Sequence, residues 1–405
     1  MNREQKDTVG RMADEMRKEL TGNILPFWMG TADPDRGGFY GRISGHGELH
    51  RDAPRASVLN MRLLWTFAAA YRVTGDAACL EMARRAKEYV ERCFVDPRYG
   101  GVYWSVDAAG NPLDAKKQIY SQGFAIYGMS EYCRATGDES ALECAKNLFE
   151  AVEQYAHDAR FGGYWEALGR DWSEIADMRL SAKDSNERKS MNTHLHVLEP
   201  YTNLYRVWKD PRLEARIREL LEVFCSRIVD ARTGHFNLFF GDEWDVRGGI
   251  VSYGHDIEGS WLLHEAALEL GDESLLKRVE PVVRRLAAAA AEGLQPDGSI
   301  IYESDPARGV SDHDRHWWPQ AESVIGYLNL FQHFGDGEAL RRSEAAWRYI
   351  DARIVDHEGG EWFWSRRADG TANLDDDKAG FWKCPYHNSR MCLEVIERAD
   401  KILGA

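Results

Sequence analysis

Apolar residues fall into twelve helical runs along the chain, and the runs are separated alternately by short polar turns and long glycine-rich loops. Within each run the apolar positions recur every three or four residues, which is the spacing of an amphipathic helix. The pattern predicts helices over 6–26, 56–74, 77–94, 119–136, 139–157, 191–208, 212–229, 255–270, 273–292, 317–334, 338–355 and 385–403.

Two short motifs repeat and interleave with these helices. A glycine turn followed by aromatic or β-branched residues recurs six times at intervals of 61 to 72 residues, at Gly37, Gly100, Gly162, Gly234, Gly298 and Gly359. The second motif places an aspartate after a helix end, usually as Gly-Asp, at Asp76, Asp138, Asp210, Asp272 and Asp336. Glycine suits a helix C-cap and aspartate suits the next N-cap. Each unit is therefore two helices joined by a tight turn, followed by a long loop.

Six helix pairs predict an all-α fold, an (α/α)6 barrel of twelve helices with short β-hairpins in the long loops. The segment 102–106 alternates as a strand does and is the clearest hairpin candidate. Helices that follow the long loops should line the inside, because their faces are apolar and small, as at Ala68, Gly123 and Gly259. A linear solenoid is the competing arrangement. Since no linker or low-complexity tract divides the chain, we expect one domain over 1–405.

Composition narrows the class of protein. The 405 residues carry a net charge of −15, which disfavours nucleic acid and anionic membranes as partners. No apolar run is long enough to span a bilayer, and the charged first residues do not resemble a signal peptide. The 7 cysteines form no Cys-x-x-Cys pair, so a reduced, cytoplasmic setting is expected. Several of the 14 tryptophans lie in loops, where clustered indoles often form platforms for sugar rings.

Polar and aromatic residues occupy the starts of the predicted inner helices, where core-facing positions are normally apolar. These residues are Arg62, Tyr120, Asn192, His196, His255, Glu258, Trp318, Glu322 and His387. Parallel inner helices bring their N-termini to one mouth of a barrel, and such a mouth is the expected ligand site. A lone histidine is usually a hydrogen-bonded core residue, and we interpret His157, His264 and His333 in that way. Three histidines at equivalent helix starts indicate function instead.

Metal and nucleotide sites are not predicted. His194 and His196 are two residues apart and would diverge on a helix, and His255 with Glu258 has no third ligand in a recognisable pattern. The glycine-rich signatures of nucleotide-binding loops are absent from the sequence. We therefore expect neither a metal nor a cofactor.

Four strings at the helix starts resemble a known family. They are Asn-Thr-His-Leu-His-Val-Leu-Glu at 192–199, Tyr-Gly-His-Asp-Ile-Glu at 253–258, Trp-Trp-Pro-Gln-Ala-Glu at 317–322 and Lys-Cys-Pro-Tyr-His-Asn at 383–388. In order and spacing they resemble the cellobiose 2-epimerases of the N-acylglucosamine 2-epimerase superfamily. The resemblance implies an (α/α)6 barrel that epimerises C2 of the reducing-end glucose of β-1,4-linked disaccharides without a cofactor. A small-molecule disaccharide is then the expected partner, and no obligate protein partner is predicted.

The resemblance also assigns roles to residues. His255 and His387 are implied to be the acid/base pair, with His196, Glu258, Arg62, Tyr120 and Asn192 around the reacting sugar. Ser181, Asp184, Trp318 and Trp382 are implied to contact the substrate, and Glu322 is expected among the substrate-binding residues. Removal of the C2 proton from an open-chain aldose gives an enediolate, and histidine suits this proton transfer because its unperturbed pKa is about 6.5.

Alternative functions remain open from the sequence. An aldose–ketose isomerase acting on mannose shares the enediolate and differs only in where the proton returns, and an N-acylglucosamine 2-epimerase differs in its sugar. A glycoside hydrolase on the same barrel would need two carboxylates about 5–10 Å apart, for which Asp184, Glu258 and Glu322 are the candidates. A non-catalytic sugar-binding barrel is the remaining alternative.

Overall fold

The computed structural model describes residues 1–404, and six of its helices form an inner ring. Each inner helix is buried along most of its length and contacts the next, and the last contacts the first, so the ring closes. The inner helices are α3 (Ser57–Thr74), α5 (Ile119–Thr136), α7 (Met191–Val207), α9 (Tyr253–Leu270), α11 (Trp317–Phe334) and α13 (Tyr386–Gly404). Closure confirms the (α/α)6 barrel and rules out the linear solenoid.

The outer helices pack around this ring with one apolar face inward. They are α1 (Arg3–Glu19), α2 (Leu25–Met29), α4 (Ala77–Tyr89), α6 (Glu139–Tyr155), α8 (Pro211–Val223), α10 (Glu273–Ala290) and α12 (Gly337–Tyr349). A π-helical turn, Leu20–Ile24, makes α1 and α2 one continuous segment, which corresponds to the first predicted helix. Similar turns extend α4, α8 and α12 over Val90–Phe94, Phe224–Ile228 and Ile350–Ile354, and a 3₁₀ turn, Ala291–Gly293, extends α10.

The tight turns between inner and outer helices follow the predicted capping chemistry. Gly75, Gly137, Gly271 and Gly335 end their helices in the left-handed conformation, with φ between 67° and 76°. Asp76, Asp138, Asp210, Asp272 and Asp336 each accept backbone N–H groups at the start of the following outer helix. Each cap of this kind stabilises a helix by about 1 kcal/mol. The third turn lacks the glycine, and Pro211 begins its outer helix instead.

Short strands join neighbouring repeats rather than forming isolated hairpins. The strand before each of α3, α5, α7, α9 and α11 pairs antiparallel with a strand in the next long loop. The strands are β1 (Arg55–Ala56), β2 (Ser105–Val106), β3 (Pro112–Asp114), β4 (Lys117–Gln118), β5 (Ala167–Leu168), β6 (Lys189–Ser190), β7 (Phe239–Phe240), β8 (Val246–Arg247), β9 (Val251–Ser252), β10 (Glu303–Asp305), β11 (Val310–Asp312), β12 (Arg315–His316) and β13 (Ser365–Arg366). Hairpins occur at β2–β3, β7–β8 and β10–β11. Of the predicted 102–106 strand, Ser105–Val106 is a strand, and Val102 forms a single bridge to Val95.

Buried ion pairs reinforce three of these junctions. Arg55, Lys117 and Lys189, which lie in the strands before inner helices, pair with Asp33, Asp96 and Asp158 of the preceding glycine-aromatic turns. The three basic side chains are fully buried. These three ion pairs therefore fix where α3, α5 and α7 begin. In residues 1–404 no helix is both long and apolar enough to cross a membrane.

Small residues allow the inner helices to approach closely, and Gly123 provides a test. A Cβ at Gly123 would lie 2.2 Å from the carbonyl oxygen of His196 on α7. We expect Gly123→Ala to lower the free energy of unfolding by about 1–3 kcal/mol, measured by urea denaturation, because a backbone atom cannot move aside as a side chain can. Gly22→Ala is the control, since apart from its chain neighbours and its own helix backbone no heavy atom of the described residues lies within 4 Å of its added Cβ. Equal stability of the two variants would contradict the close approach.

Candidate active site

All six inner helices begin at one end of the barrel, around a cavity of about 600 Å³. Eleven of the twelve residues predicted for the site line it, namely Arg62, Tyr120, Ser181, Asp184, Asn192, His196, His255, Glu258, Trp318, Trp382 and His387. Glu322 is the exception, because it is fully buried behind His387 instead of facing the cavity. Its placement indicates an orienting role and not the substrate contact that we expected.

Each of the three histidines is held through its Nδ1 atom. His196 Nδ1 lies 3.0 Å from Glu199 Oε2, and His387 Nδ1 lies 2.7 Å from Glu322 Oε1. In a neutral imidazole, an Nδ1–H that donates to a carboxylate leaves Nε2 as the proton acceptor. His255 Nδ1 instead lies 2.8 Å from the hydroxyl of Ser252. Because a hydroxyl both donates and accepts, His255 can adopt either neutral tautomer.

The histidines are held in the neutral state. Burial is the largest cause that lowers the pKa of His387 well below the usual range, and Arg62 and Arg390 lower it further. Burial likewise lowers the pKa of His196, although Glu199 opposes this, and burial with His196 nearby lowers the pKa of His255. A neutral histidine is ready to accept a proton, so the arrangement can perform base chemistry at neutral pH.

Arg390 connects the carboxylates behind the histidines, and the sequence interpretation missed it. Its Nη1 donates to Glu199 and to the hydroxyl of Tyr386, and its Nη2 donates to Glu258 at 2.6 Å and to Glu322 at 2.7 Å. A sequence signal existed for these residues. Glu199 follows His196, and Arg390 follows His387, at the same three-residue spacing that relates His255 to Glu258. Such pairs share one face of a helix.

The carboxyl groups of this cluster differ in charge. Burial opposes ionisation of Glu199, but Arg390 and His196 outweigh it and bring its pKa to about 2. Burial raises the pKa of Glu258, and the neighbouring Glu322 raises it further. Glu258 Oε2 has no hydrogen-bond partner among residues 1–404, and Glu258 lines the cavity. A protonated Glu258 would therefore carry an O–H group with no protein partner in this part of the chain.

Arg62 is a buried cation that pairs with no carboxylate within the part of the chain described. Its Nη2 donates to the Tyr120 hydroxyl at 2.6 Å, and its Nη1 lies 3.7 Å from Cys384 Sγ. Its guanidinium carbon lies 4.3 Å from the Phe124 ring centre and 4.6 Å from that of Tyr386. Aromatic faces stabilise a cation only in part. A negative charge that develops in the cavity would therefore be attracted to Arg62.

Aromatic side chains form the walls and the mouth. The Trp318 ring contacts two of the histidines, with centroid distances of 4.7 Å to His255 and 5.6 Å to His387. Trp382 packs against Tyr120 at 6.1 Å. Further out, Tyr302, Glu303, His316 and Glu166 also line the cavity, and the sequence interpretation named none of them. Tyr302 and Glu303 lie in or beside short strands. Helical periodicity in the sequence therefore could not indicate that both residues line the same cavity.

One group of side chains has metal-ligand chemistry. Ligand atoms of Glu258, Glu322 and His387 all lie within 4.8 Å of one another. However, Arg390 Nη2 already donates to both carboxylates, and a guanidinium and a metal ion would compete for the same oxygens. His194 has both ring nitrogens bonded to the backbone, at Ser190 and Tyr164. Metal independence stays a prediction.

Comparison with known proteins identifies the family. The sequence profile of N-acylglucosamine 2-epimerase (GlcNAc 2-epimerase) matches residues 38–390. A cellobiose 2-epimerase of Bacteroides fragilis is 57% identical over 386 residues, covering 95% of this chain and 98% of that protein. One from Ruminococcus albus is 38% identical over 392 residues, covering 96% of this chain and 100% of that protein. The solved cellobiose 2-epimerase of Bacillus thermoamylovorans B4167 is 39% identical, with a TM-score of 0.93 over 96% of this chain and 100% of that one.

The chain belongs to the N-acylglucosamine 2-epimerase family. This membership confirms the resemblance inferred from the four strings and the isomerase class that it implied. Within this epimerase the strings lie where the inner helices begin, at α7, α9, α11 and α13. The family motifs therefore coincide with the cavity.

Two histidines of the epimerase, His235 and His387, each have Nδ1 close to a carboxylate, and comparing them tests the electrostatic environment of the cavity. His235 Nδ1 lies 2.6 Å from Asp256, as His387 Nδ1 lies 2.7 Å from Glu322. Burial opposes protonation of His235, but Asp256 outweighs it and raises its pKa. The pKa of His387 is lowered, by burial and then by Arg62 and Arg390.

At about pH 6.5, the ordinary histidine value, we expect His235 to be mostly protonated and His387 to be neutral with its proton on Nδ1. Nuclear magnetic resonance of the protein labelled with ¹⁵N-histidine measures both states. His235→Asn and His387→Asn assign the signals. An imidazolium signal from His387 at this pH would contradict the proposed electrostatic environment.

Proposed function

We propose that this enzyme epimerises C2 of the reducing-end glucose of β-1,4-linked disaccharides without a cofactor. Cellobiose would give 4-O-β-D-glucopyranosyl-D-mannose, and lactose would give epilactose. The observation that supports the proposal is the cavity itself. Three neutral histidines meet there with Arg62, which has no carboxylate partner among residues 1–404, in a chain 57% identical to a cellobiose 2-epimerase.

The chemistry requires stabilisation of a negative charge. Opening the sugar ring exposes an aldehyde at C1, and removal of the C2 proton then moves the electron pair onto the carbonyl oxygen. The resulting enediolate is an anion formed away from bulk water. Arg62 and the Tyr120 hydroxyl lie in the cavity wall as fixed donors, and the N-termini of the inner helices add positive potential. Donors that are already in position need no reorganisation as the charge develops.

Inversion requires that the proton leave one face of C2 and return to the other. His387 accepts the proton at Nε2, while its Nδ1–H remains bonded to Glu322. His255 takes up a proton from solvent as the anion forms and then donates from Nε2 to the opposite face, which leaves it neutral with its Nδ1–H bonded to the Ser252 hydroxyl. The reverse reaction exchanges these roles. After the turnover His387 releases the proton that it took from C2 to solvent, so both histidines are again neutral before the next turnover.

Ring opening needs a second acid and base. The hemiacetal O–H at C1 loses its proton, and the ring oxygen gains one. His196, anchored by Glu199, suits the base role, and the O–H of protonated Glu258 suits the acid role. Asn192, whose Oδ1 has no hydrogen-bond partner among residues 1–404, can accept from a sugar hydroxyl.

The outer part of the cavity suits a second sugar. Trp318 and Trp382 offer apolar faces to a pyranose, and Ser181 and Asp184 offer polar groups in the loop between β5 and β6. The volume of about 600 Å³ lies within the range of sites that enclose ligands larger than a monosaccharide. Remote contacts of this kind supply binding energy that positions the reacting sugar.

The hydrolase alternative is less consistent with the carboxylates. Glu258 and Glu322 both accept from Arg390 Nη2, so they converge on one atom rather than flank a scissile bond. The aldose–ketose isomerase and the N-acylglucosamine 2-epimerase share the enediolate step, and product analysis separates them from our proposal.

The first test is direct assay of the purified protein. We expect cellobiose and lactose to give products of unchanged mass with mannose at the reducing end, read by chromatography. Prolonged EDTA treatment should leave the rate unchanged. Glucose, mannose and N-acetylglucosamine are the comparison substrates, and we expect a lower kcat/KM for them. Release of monosaccharides, a ketose as main product, or activity restored by one divalent ion would each refute part of the proposal.

The second test concerns the two histidines. We expect His255→Asn and His387→Asn each to reduce epimerisation by about 10²- to 10⁴-fold, because each removes an acid/base group. In D₂O the wild-type product should gain deuterium at C2 in a single turnover, while recovered substrate gains little. His264→Asn is the control, because His264 bonds Asn329 outside the cavity. Near-normal activity of both variants would refute the roles of the two histidines.

A further inference from the structure

Arg390 lies at the centre of the buried cluster beneath the cavity. It is fully buried, and its guanidinium carbon lies 4.8 Å from the centre of the Trp261 ring. It contacts carboxylates from three other inner helices, because Glu199 belongs to α7, Glu258 to α9 and Glu322 to α11. One side chain of α13 therefore connects four of the six inner helices.

Two of these carboxylates also form hydrogen bonds with histidines of the site. Glu199 binds Arg390 through Oε1 and His196 through Oε2. Glu322 uses the same atom, Oε1, to accept from Arg390 Nη2 and from His387 Nδ1. The Tyr386 hydroxyl donates to Glu199 and accepts from Arg390, which closes the first of these chains. The orientation of both imidazole rings thus depends on one guanidinium.

We propose that Arg390 is a positioning residue that fixes His196 and His387 together in their Nδ1-protonated tautomers, through Glu199 and Glu322. It thereby couples the group that opens the sugar ring to the group that removes the C2 proton. The coupling rests on the function proposed above, whereas the tautomers are a property of the protein alone. Arg390 does not line the cavity and acts on the substrate only through these histidines.

Geometry favours this role over a purely structural one. A structural arginine needs one carboxylate, and a buried ion pair contributes little net stability after desolvation. Arg390 instead donates from Nη1 to Glu199, which binds His196, and from Nη2 to Glu322, which binds His387. A lysine keeps the charge but offers one nitrogen, so it cannot hold both chains in the same geometry.

The electrostatic environment gives a second consequence. The charged and titratable groups near Arg390 and His387, from the elements packed against them, are Arg62, Tyr127, His196, Glu199, Glu258, Glu322 and Tyr386. Burial is the main cause of the lowered pKa of both His196 and His387, and Arg390 lowers both further. Loss of the guanidinium charge therefore raises both values. The acid limb of the activity profile then moves to higher pH, because the base is protonated earlier.

Arg398 on the same helix provides a matched control. It is also buried, at 6% exposure, and bonds Glu394, Asn329 and Gln332 away from the cavity. Substitution of Arg398 removes a buried guanidinium from α13 without touching a histidine of the site. Any loss due only to helix packing should appear in both sets of variants.

The experiment compares Arg390→Lys and Arg390→Gln with Arg398→Lys and Arg398→Gln, using cellobiose from about pH 5 to about pH 9. We expect Arg390→Lys to reduce kcat by about 10²-fold with KM changed by less than about 3-fold, because misplacement of catalytic groups acts mainly on turnover. Arg390→Gln should also move the acid limb upward by about 1 pH unit. The Arg398 variants should keep the wild-type limb and most of kcat.

Two further measurements keep the inference testable by itself. The ¹⁵N-histidine spectra should show the Nδ1–H tautomers of His196 and His387 lost in the Arg390 variants and kept in the Arg398 variants, whatever the substrate. If the Arg390 variants do not fold, Tyr386→Phe takes their place, because it removes only the hydroxyl that bridges Arg390 and Glu199. We expect it to lower the population of the Nδ1–H tautomer of His196. Unchanged tautomers and pH profile would overturn the inference, whereas a wild type without epimerase activity would overturn only the proposed function.

Discussion

The structure depends on a balance of buried charge at the end of the barrel where six helix N-termini converge. Helix N-termini, Arg62 and Arg390 all make this region positive. Glu199 compensates as an ionised carboxylate, while the raised pKa of Glu258 favours its neutral form. Burial is the main reason that the histidines are neutral, and Arg62 and Arg390 lower the pKa of His196 and His387 further. The same field that would help the proposed anionic intermediate thus also favours the neutral form of these two bases.

That charge balance depends on where the inner helices begin, and the long loops hold these helix starts in place. Each strand before α3, α5, α7, α9 and α11 pairs with the loop of the next repeat. At Arg55, Lys117 and Lys189 a buried ion pair adds a second attachment to the preceding turn. The three helices α3, α5 and α7 are therefore held from both neighbouring repeats. A closed ring distributes this restraint around the site, whereas a linear solenoid would leave its end repeats held on one side.

The sequence predicted the helices to within about three residues because caps and apolar periodicity are local signals. Two-residue strands were harder to place, since their pairing partners lie about fifty residues away in another repeat. The cavity residues were found because their polarity stands out at helix starts. Arg390 was missed, and Glu322 was placed at the substrate, because both belong to a network across four helices. The pattern of polar residues within one helix does not show which of two polar side chains lines the cavity and which lies behind it and holds the first in place.

The arrangement of charge also explains how one barrel type can serve different sugar chemistry. Hydrolysis needs an acid and a base on either side of a glycosidic bond. Here Glu199 and Glu322 lie behind imidazoles and share one guanidinium, so their negative charge acts through histidine. The three histidines that line the cavity are neutral bases, and the cation near them, Arg62, has no carboxylate partner within residues 1–404. Such a wall favours an anion formed within the substrate over a cation, and the enediolate of the proposed reaction would be such an anion.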